Sequence, residues 1–211
     1  MRLRHKDWAQ PLVDANKDRA YNMEDISNDE IFKINQLEIG SGLGGFIIQK
    51  AYNNPKDNFL GVEVCFSAYA TSVKKLLAFE KENNCKIENL HFFNAPVEKL
   101  FEKIKPESLD VIYLNFNDPW PKKRQHKRRL TYPTRLEVYY NLLKKGGKVL
   151  YKSDNDVYYE DSKKYFDEFN KFKTKFMDDY IDIEKDDIQS EYEIKFRSKG
   201  NKIHRIVAIK E

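Results

Sequence analysis

The sequence predicts an α/β protein with a doubly wound, mostly parallel sheet and helices on both faces. Three observations predict it. Short apolar runs of strand length alternate with helical patterns from residue 35 onward. The first of these runs ends in a glycine-rich turn that opens a helix. The fourth, Leu109 to Phe116, is apolar enough for a central strand buried on both faces. Strands joined through helices form parallel sheets, and right-handed crossovers make them doubly wound. The 211 residues suit one ordinary domain, and no repeat or low-complexity linker interrupts them. A single domain over 1–211 is expected, with 1–33 as a polar, basic N-terminal arm.

In chain order, Asn35 to Ile39 reads as the first strand and Gly40-Ser-Gly-Leu-Gly-Gly45 as the turn, with a helix to about Asn53. Asn58 to Val64 is the second strand. Ser67 to Asn83 is a helix with Tyr69, Val73, Leu76 and Leu77 on one face. Leu90 to Phe93 is the third strand, and Val97, Leu100, Phe101 and Ile104 predict a helix before the fourth. Leu136, Tyr139, Tyr140 and Leu143 mark a helix stopped by Gly146-Gly147, and Lys148 to Ser153 is the fifth strand. Tyr158, Tyr165, Phe166 and Phe169 stripe the next helix. Two late strands, Phe172 to Tyr180 and Ile203 to Ile209, flank a short helix starting at Ser190.

Lys and Arg number 38 against 34 Asp and Glu, a net charge of +4. Screening over roughly 8 Å makes local clustering more telling than that total. Cys65 and Cys85 form no CxxC pair, and with four His no metal site is expected. Both thiols read as reduced residues of a cytoplasmic protein. The N-terminus has no apolar leader core, and no run approaches the ~20 apolar residues of a membrane span.

Ligands of doubly wound sheets collect at the carboxyl ends of the strands. Gly40, Gly42 and Gly45 fit GxGxxG between a strand and a helix, which suits close backbone approach to a ligand. Glu38, two residues before Gly40, would repel a pyrophosphate and attract an ammonium and a sulfonium; the bland alternative is an exposed strand-end Glu. Glu63 ends the second strand, where a carboxylate suits a ribose diol or simply faces solvent. Asn94 after the third strand either reads an adenine edge or caps the following helix.

Asp118 follows the fourth strand. Pro119 and Pro121 stiffen the chain around Trp120, which is either a core residue or a stacking wall for a base. From Lys122 to Arg129, six of eight positions are Lys or Arg, and no acidic residue interrupts them. That run, Lys122, Lys123, Arg124, Gln125, His126, Lys127, Arg128 and Arg129, reads as a phosphate-tracking surface. Asp154, in Lys152-Ser-Asp-Asn155, either caps the next helix or faces a substrate. Ser190, Glu191, Tyr192 and Glu193 fit a capping box, and a helix start aimed at the site can do both jobs.

These residues resemble the bacterial tRNA (guanine-N7-)-methyltransferases, nearly end to end. The resemblance is carried by Arg2-Leu-Arg-His-Lys-Asp-Trp8, Leu37-Glu-Ile-Gly-Ser-Gly42, Gly61-Val-Glu63, Tyr113-Leu-Asn-Phe-Asn-Asp-Pro-Trp-Pro-Lys-Lys-Arg124, Lys127-Arg-Arg-Leu-Thr131, Lys152-Ser-Asp-Asn155 and Ser190-Glu-Tyr-Glu-Ile-Lys-Phe196. It implies a Rossmann-like class I methyltransferase that uses S-adenosylmethionine to methylate N7 of guanine 46 in the tRNA variable loop. It also implies donor contacts from Glu38, Glu63, Asn94 and Asp118. Lys122, Asp154 and Ser190 to Glu193 would meet the substrate, and Arg124 to Arg129 the RNA. Many members carry Asp where Asn94 stands. Both a monomer and a homodimer are compatible with the sequence.

Three rivals remain at this level. The nearest is an S-adenosylmethionine-dependent methyltransferase for another RNA site; N6-amino methyltransferases place Asn/Asp-Pro-Pro-aromatic after the fourth strand, where this chain has Asp-Pro-Trp-Pro. An NAD-dependent oxidoreductase conflicts with Glu38 and the basic run. A non-catalytic RNA-binding module conflicts with an intact glycine turn beside Glu38 and Glu63.

Overall fold

In the computed structural model, which describes residues 6–211, eight strands and six α-helices form among the described residues. The chain divides into two compact units at Lys105/Pro106. The first unit holds helix α1 (Ala9–Asp14) and strand β1 (Ala20–Asn22), then β2 (Gln36–Ile39), α2 (Gly45–Asn53), β3 (Phe59–Val62), α3 (Phe66–Glu82) and β4 (Leu90–Asn94). Its strands run parallel in the order β1-β4-β3-β2. Every residue of β2 and β3 is buried, as strands covered on both faces of a parallel sheet are, with Gln36 and Glu38 the polar members of β2. Phe59, Leu60, Phe92 and Phe93 lie in this core with Tyr69, Val73 and Leu76 of α3. Each such large apolar side chain contributes about 1.5–3 kcal/mol.

The second unit holds β5 (Leu109–Asn115), α4 (Pro133–Leu142), β6 (Leu143–Ser153), α5 (Asp156–Phe169), β7 (Phe172–Met177), α6 (Glu191–Arg197) and β8 (His204–Lys210). Its strand order is β5-β6-β8-β7. β5 and β6 are parallel, while β8 pairs antiparallel with both β6 and β7. In both units the parallel strands end beside the residues singled out above.

Four expectations are corrected. The stretch expected as a polar arm is structured from the first described residues onward: α1 packs on α3, and β1 pairs with β4 through Ala20 and Phe92. Buried Ala9, Val13 and Ala20 are too sparse in that stretch to show a period. Arg2, Arg4 and His5 lie outside the described residues. The helix expected around Val97 to Ile104 is only a 3-10 turn, Val97–Lys99. Successive three-residue bonds, Lys99 N to Pro96 O, Leu100 N to Val97 O and Lys103 N to Leu100 O, bury the same apolar spacing without an α-helix. Gly146-Gly147 does not stop a helix, because α4 ends at Leu142 and β6 already begins at Leu143. The glycines instead absorb a register shift between β5 and β6, with Leu109 opposite Leu143 but Val111 opposite Lys148. The strand from Phe172 stops at Met177 rather than at Tyr180.

Candidate active site

The glycine turn is tied to β3: Gly40 N and Ser41 N donate to Val62 O at 2.8 and 3.0 Å. Gly40, Gly42 and Gly44 take φ of +77°, +55° and +78°, the left-handed region open chiefly to glycine. Two of these have different uses. At Gly44, the cap of α2, a Cβ would stand 2.6 Å from Ser72 Cβ, so the glycine lets α3 pack close. At Gly42 a Cβ would meet nothing within 4 Å, so the turn presents an open ledge of backbone. The sequence motif named Gly45, which is merely the first residue of α2; the strained third position is Gly44.

The Glu63 carboxylate clamps that ledge. One oxygen accepts from Gly42 N at 2.9 Å and the other from Cys65 N at 2.8 Å. Each oxygen keeps lone-pair capacity for a further donor, as a ribose diol needs. Glu38 is 2% exposed, so it is not the solvated strand-end residue of the bland alternative. Asn94 does not cap a helix either. Its amide donates to Glu63 O at 2.7 Å and Val64 O at 3.2 Å, which ties the ends of β3 and β4. Two carboxylates, an open glycine ledge and a turn without Lys or Arg fit an adenosyl cation better than a pyrophosphate.

In the second unit, the chain leaves β5 through Phe116 at φ +52° and passes Trp120 at φ +41°. Left-handed backbone at bulky residues costs on the order of 1–3 kcal/mol each and gathers at functional sites. Asp118 is exposed midway between them. Phe116 N donates to Lys152 O at 2.9 Å, and Arg129 Nε donates to Pro119 O at 2.7 Å, so the loop is held at both ends. Half-buried Trp120 is not a core residue, and the Arg128 guanidinium lies 5.0 Å over its ring.

Lys123–Arg128 forms a 3-10 turn that exposes Lys123, Arg124, Lys127 and Arg128, with exposed Lys122 before it. Gln125 and His126 are half-buried, and His126 Nδ1 is 3.4 Å from Tyr165 Oη. Arg129 is the correction here. It is 1% exposed and donates to Asp161 at 2.6 Å, so it cannot track phosphates. Its position at the end of a charged run hid a structural pair 32 residues away.

Ser190 caps the start of α6, and its hydroxyl accepts from Glu193 N at 3.1 Å. The reciprocal arm of a capping box is replaced. Glu193 is fully buried and binds Lys152 at 2.9 Å and Arg197 at 2.8 Å, so it is not a surface for substrate. Asn155, not Asp154, caps α5 by accepting from Tyr158 N at 2.8 Å. That leaves Asp154 to accept from Tyr192 Oη at 3.1 Å. The Tyr192 ring stands 4.9 Å from Phe116 and stacks on Phe196 at 4.1 Å. Loss of hydration first, and then the Asp154 charge, push its phenol up to about 12.

Residues 33–206 match a family of putative methyltransferases. The tRNA (guanine-N(7)-)-methyltransferase of Mycoplasma mycoides is 38% identical, with 98% of each chain covered. The enzyme of that name from Mesoplasma florum is 36% identical, again with 98% of each covered. That from Bacillus cytotoxicus is 36% identical, covering 99% of this chain and 96% of its own. The chain belongs to the tRNA (guanine-N7-)-methyltransferase family.

Solved structures show the fold of this family member. An antibiotic-related methyltransferase, 16% identical, superposes with a TM-score of 0.55 over 89% of this chain and 90% of its own. The aminoglycoside resistance methyltransferase NpmB1, 15% identical, gives 0.55 over 89% and 91%. This is the doubly wound α/β class expected from the strand–helix alternation.

In this tRNA (guanine-N7-)-methyltransferase family member, the first unit gathers Glu38, Gly40, Gly42, Glu63 and Asn94. The second gathers Phe116, Asp118, Asp154, Ser190 and Tyr192, with the exposed cations close by in sequence. The buried side chains of Lys152 in β6, Arg205 in β8 and Asp187 in the segment between β7 and α6 are not singled out by the sequence. Lys152 was visible only as part of the Lys-Ser-Asp-Asn block, and nothing local announces its partners.

Proposed function

We propose that this protein transfers a methyl group to N7 of guanine 46 in the variable loop of tRNA. The observation that carries it is Asp118, exposed between two aromatic residues with left-handed backbone and followed at once by a turn of outward-facing cations. This exposure supports reading Asp118 as a carboxylate that orients the base and the cations after it as a surface for phosphates. S-adenosylmethionine, when bound, would supply an electrophilic methyl on a cationic sulfur, which keeps the bonding pair and becomes a neutral thioether. Glu63 and the Gly42 ledge hold its nucleoside, and Glu38 favours its positive charge.

Guanine N7 carries an in-plane lone pair and no proton, so no general base is needed. The residues act by holding N7 in line with the methyl carbon, and such positioning supplies at most about 7–11 kcal/mol. Asp118 accepts from guanine N1–H and the exocyclic amine. Its charge also stabilises the positive charge that grows on the purine. Tyr192, aligned by Asp154, presents a ring beside the base, with Ser190 and Glu191 next to it. Lys122, Lys123, Arg124, Lys127 and Arg128 neutralise phosphates and carry little base specificity.

The test is methyl transfer from labelled donor to unmodified tRNA transcripts, followed by strand cleavage at N7-methylated guanosine. Cleavage at guanine 46 is expected. Label on another base, or none on any tRNA, overturns the assignment.

A further inference from the structure

The segment between β7 and β8 contains a single seven-residue α-helix, α6. A helix that short does not hold itself in water. What fastens it is a charge network buried against β6 and β8. Lys152 Nζ reaches Asp187 Oδ2 at 2.6 Å, Glu193 Oε2 at 2.9 Å and Ile188 O at 3.4 Å. Arg205 takes Asp187 at 3.0 Å and Glu184 at 2.8 Å, and Arg197 takes Glu193. Three cations therefore face three carboxylates. The ring of buried Tyr180 lies 4.4 Å from the Arg205 guanidinium and 5.6 Å from both Lys152 Nζ and Arg197. The side chains of Lys152, Asp187 and Glu193 are only 5%, 8% and 0% exposed. An apolar replacement of such a network is often as stable or more so, so burial of charge here is poorly explained by stability alone.

Geometry supplies the other reason. Lys152 is the penultimate residue of β6, and Asp154 follows directly after the strand's last residue, Ser153. Lys152 grips α6 from within through Glu193, while Asp154 meets the same helix at Tyr192 Oη. One short stretch of backbone thus fixes both the depth and the rotation of α6. Glu193 gives up the expected capping-box bond to make this link.

We propose that Lys152 is a positioning residue for the methylation reaction. Acting through Asp187 and Glu193, it sets α6 so that Ser190 and Tyr192 face the guanine. This rests on the proposed role of α6 in binding the base. The experiment compares Lys152→Met and Lys152→Arg with the parent. It reads tRNA KM and kcat, S-adenosylmethionine affinity by calorimetry, and amide exchange over residues 188–197. Lys152→Met is expected to raise tRNA KM at least tenfold and to speed exchange over 188–197. Donor affinity should stay within twofold, and Lys152→Arg should recover most of the KM. A KM within twofold of the parent, or donor affinity lost in equal proportion, overturns the proposal. Where Lys152→Met does not fold, Glu193→Gln loosens one arm and should give the same split in smaller measure; an unchanged KM there is equally fatal. Tyr192→Ala separates the two ideas. An unchanged KM in that variant overturns the substrate role of α6, whereas fast exchange with normal KM in Lys152→Met overturns the positioning role alone.

Discussion

Arg129 Nη1 lies 2.6 Å from Asp161 Oδ2, and the side chain is turned inward at the end of a run whose other Lys and Arg residues face solvent. Its Nε also holds Pro119 O. The last cation of the basic segment therefore fastens the Asp118 loop to α5. Arg129→Met should cost about 2–3 kcal/mol, the scale of a hydrogen bond to a charged group. Asp161 is a quarter exposed, which keeps the loss below that of a fully buried pair. Urea unfolding measures it, and a midpoint equal to the parent's would remove the structural role.

The outward cations behave differently. Truncating Arg124, Lys127 and Arg128 together to Ala should cost at most about 1 kcal/mol of stability, from the Arg128–Trp120 stack, and weaken tRNA binding. The dependence of log affinity on log salt should flatten by about 2–3, at roughly 0.7–0.9 for each phosphate left without its cation. Filter binding across a salt series reads the slope; a slope unaltered by the triple change places the RNA surface elsewhere.

Asp118→Asn keeps the shape of the site and removes its charge. Donor affinity should stay largely intact while kcat falls about 10-fold or more, the scale of one charge-assisted hydrogen bond. Single-turnover methylation under saturating donor and tRNA is the measurement, and undiminished turnover excludes Asp118 from the reaction.

Glu63→Gln retains the side-chain volume but exchanges a carboxylate that accepts from Gly42 N and Cys65 N for an amide with one acceptor oxygen. S-adenosylmethionine affinity should fall about 10- to 100-fold, with tRNA affinity intact. Calorimetry with each ligand separates the effects.

The phenol of Tyr192 keeps its proton up to about pH 12. Its bond to Asp154 should therefore persist across neutral and mildly alkaline pH, with no step in the rate profile assignable to it. A tyrosine whose folded value is raised above its ordinary value near 10 holds more protons folded than unfolded between the two. Stability from this group is thus present below about pH 10 and declines as pH rises toward 12. Tyr192→Phe should remove that part of the alkaline decline, as urea midpoints at pH 9 and 11 would show.

Much of this was legible because it is local. The turn at Gly40, the Glu at the end of β3, the cation run after β5 and the Ser190 cap each follow from a few neighbouring residues. α1 and β1 were illegible because their buried positions are few and only a partner strand makes them a pattern. Gly44 was overlooked because its demand comes from Ser72 on another helix. The helix near Val97 was misjudged because apolar residues three and four apart suit a chain of 3-10 turns as well as an α-helix.

The sequence by itself determined the alternation of strand and helix, the glycine ledge with its two carboxylates, and a rigid aromatic loop leading into cations. Period and turn chemistry are properties of adjacent residues. Only the tertiary structure decided which charges face outward and which are buried. It turned Arg129 to Asp161, freed Asp154 for Tyr192 by giving the cap to Asn155, and joined Lys152 to Glu193 across 41 positions. Ion pairs of that span leave no periodic trace, because their geometry exists only once the strands that carry them have paired.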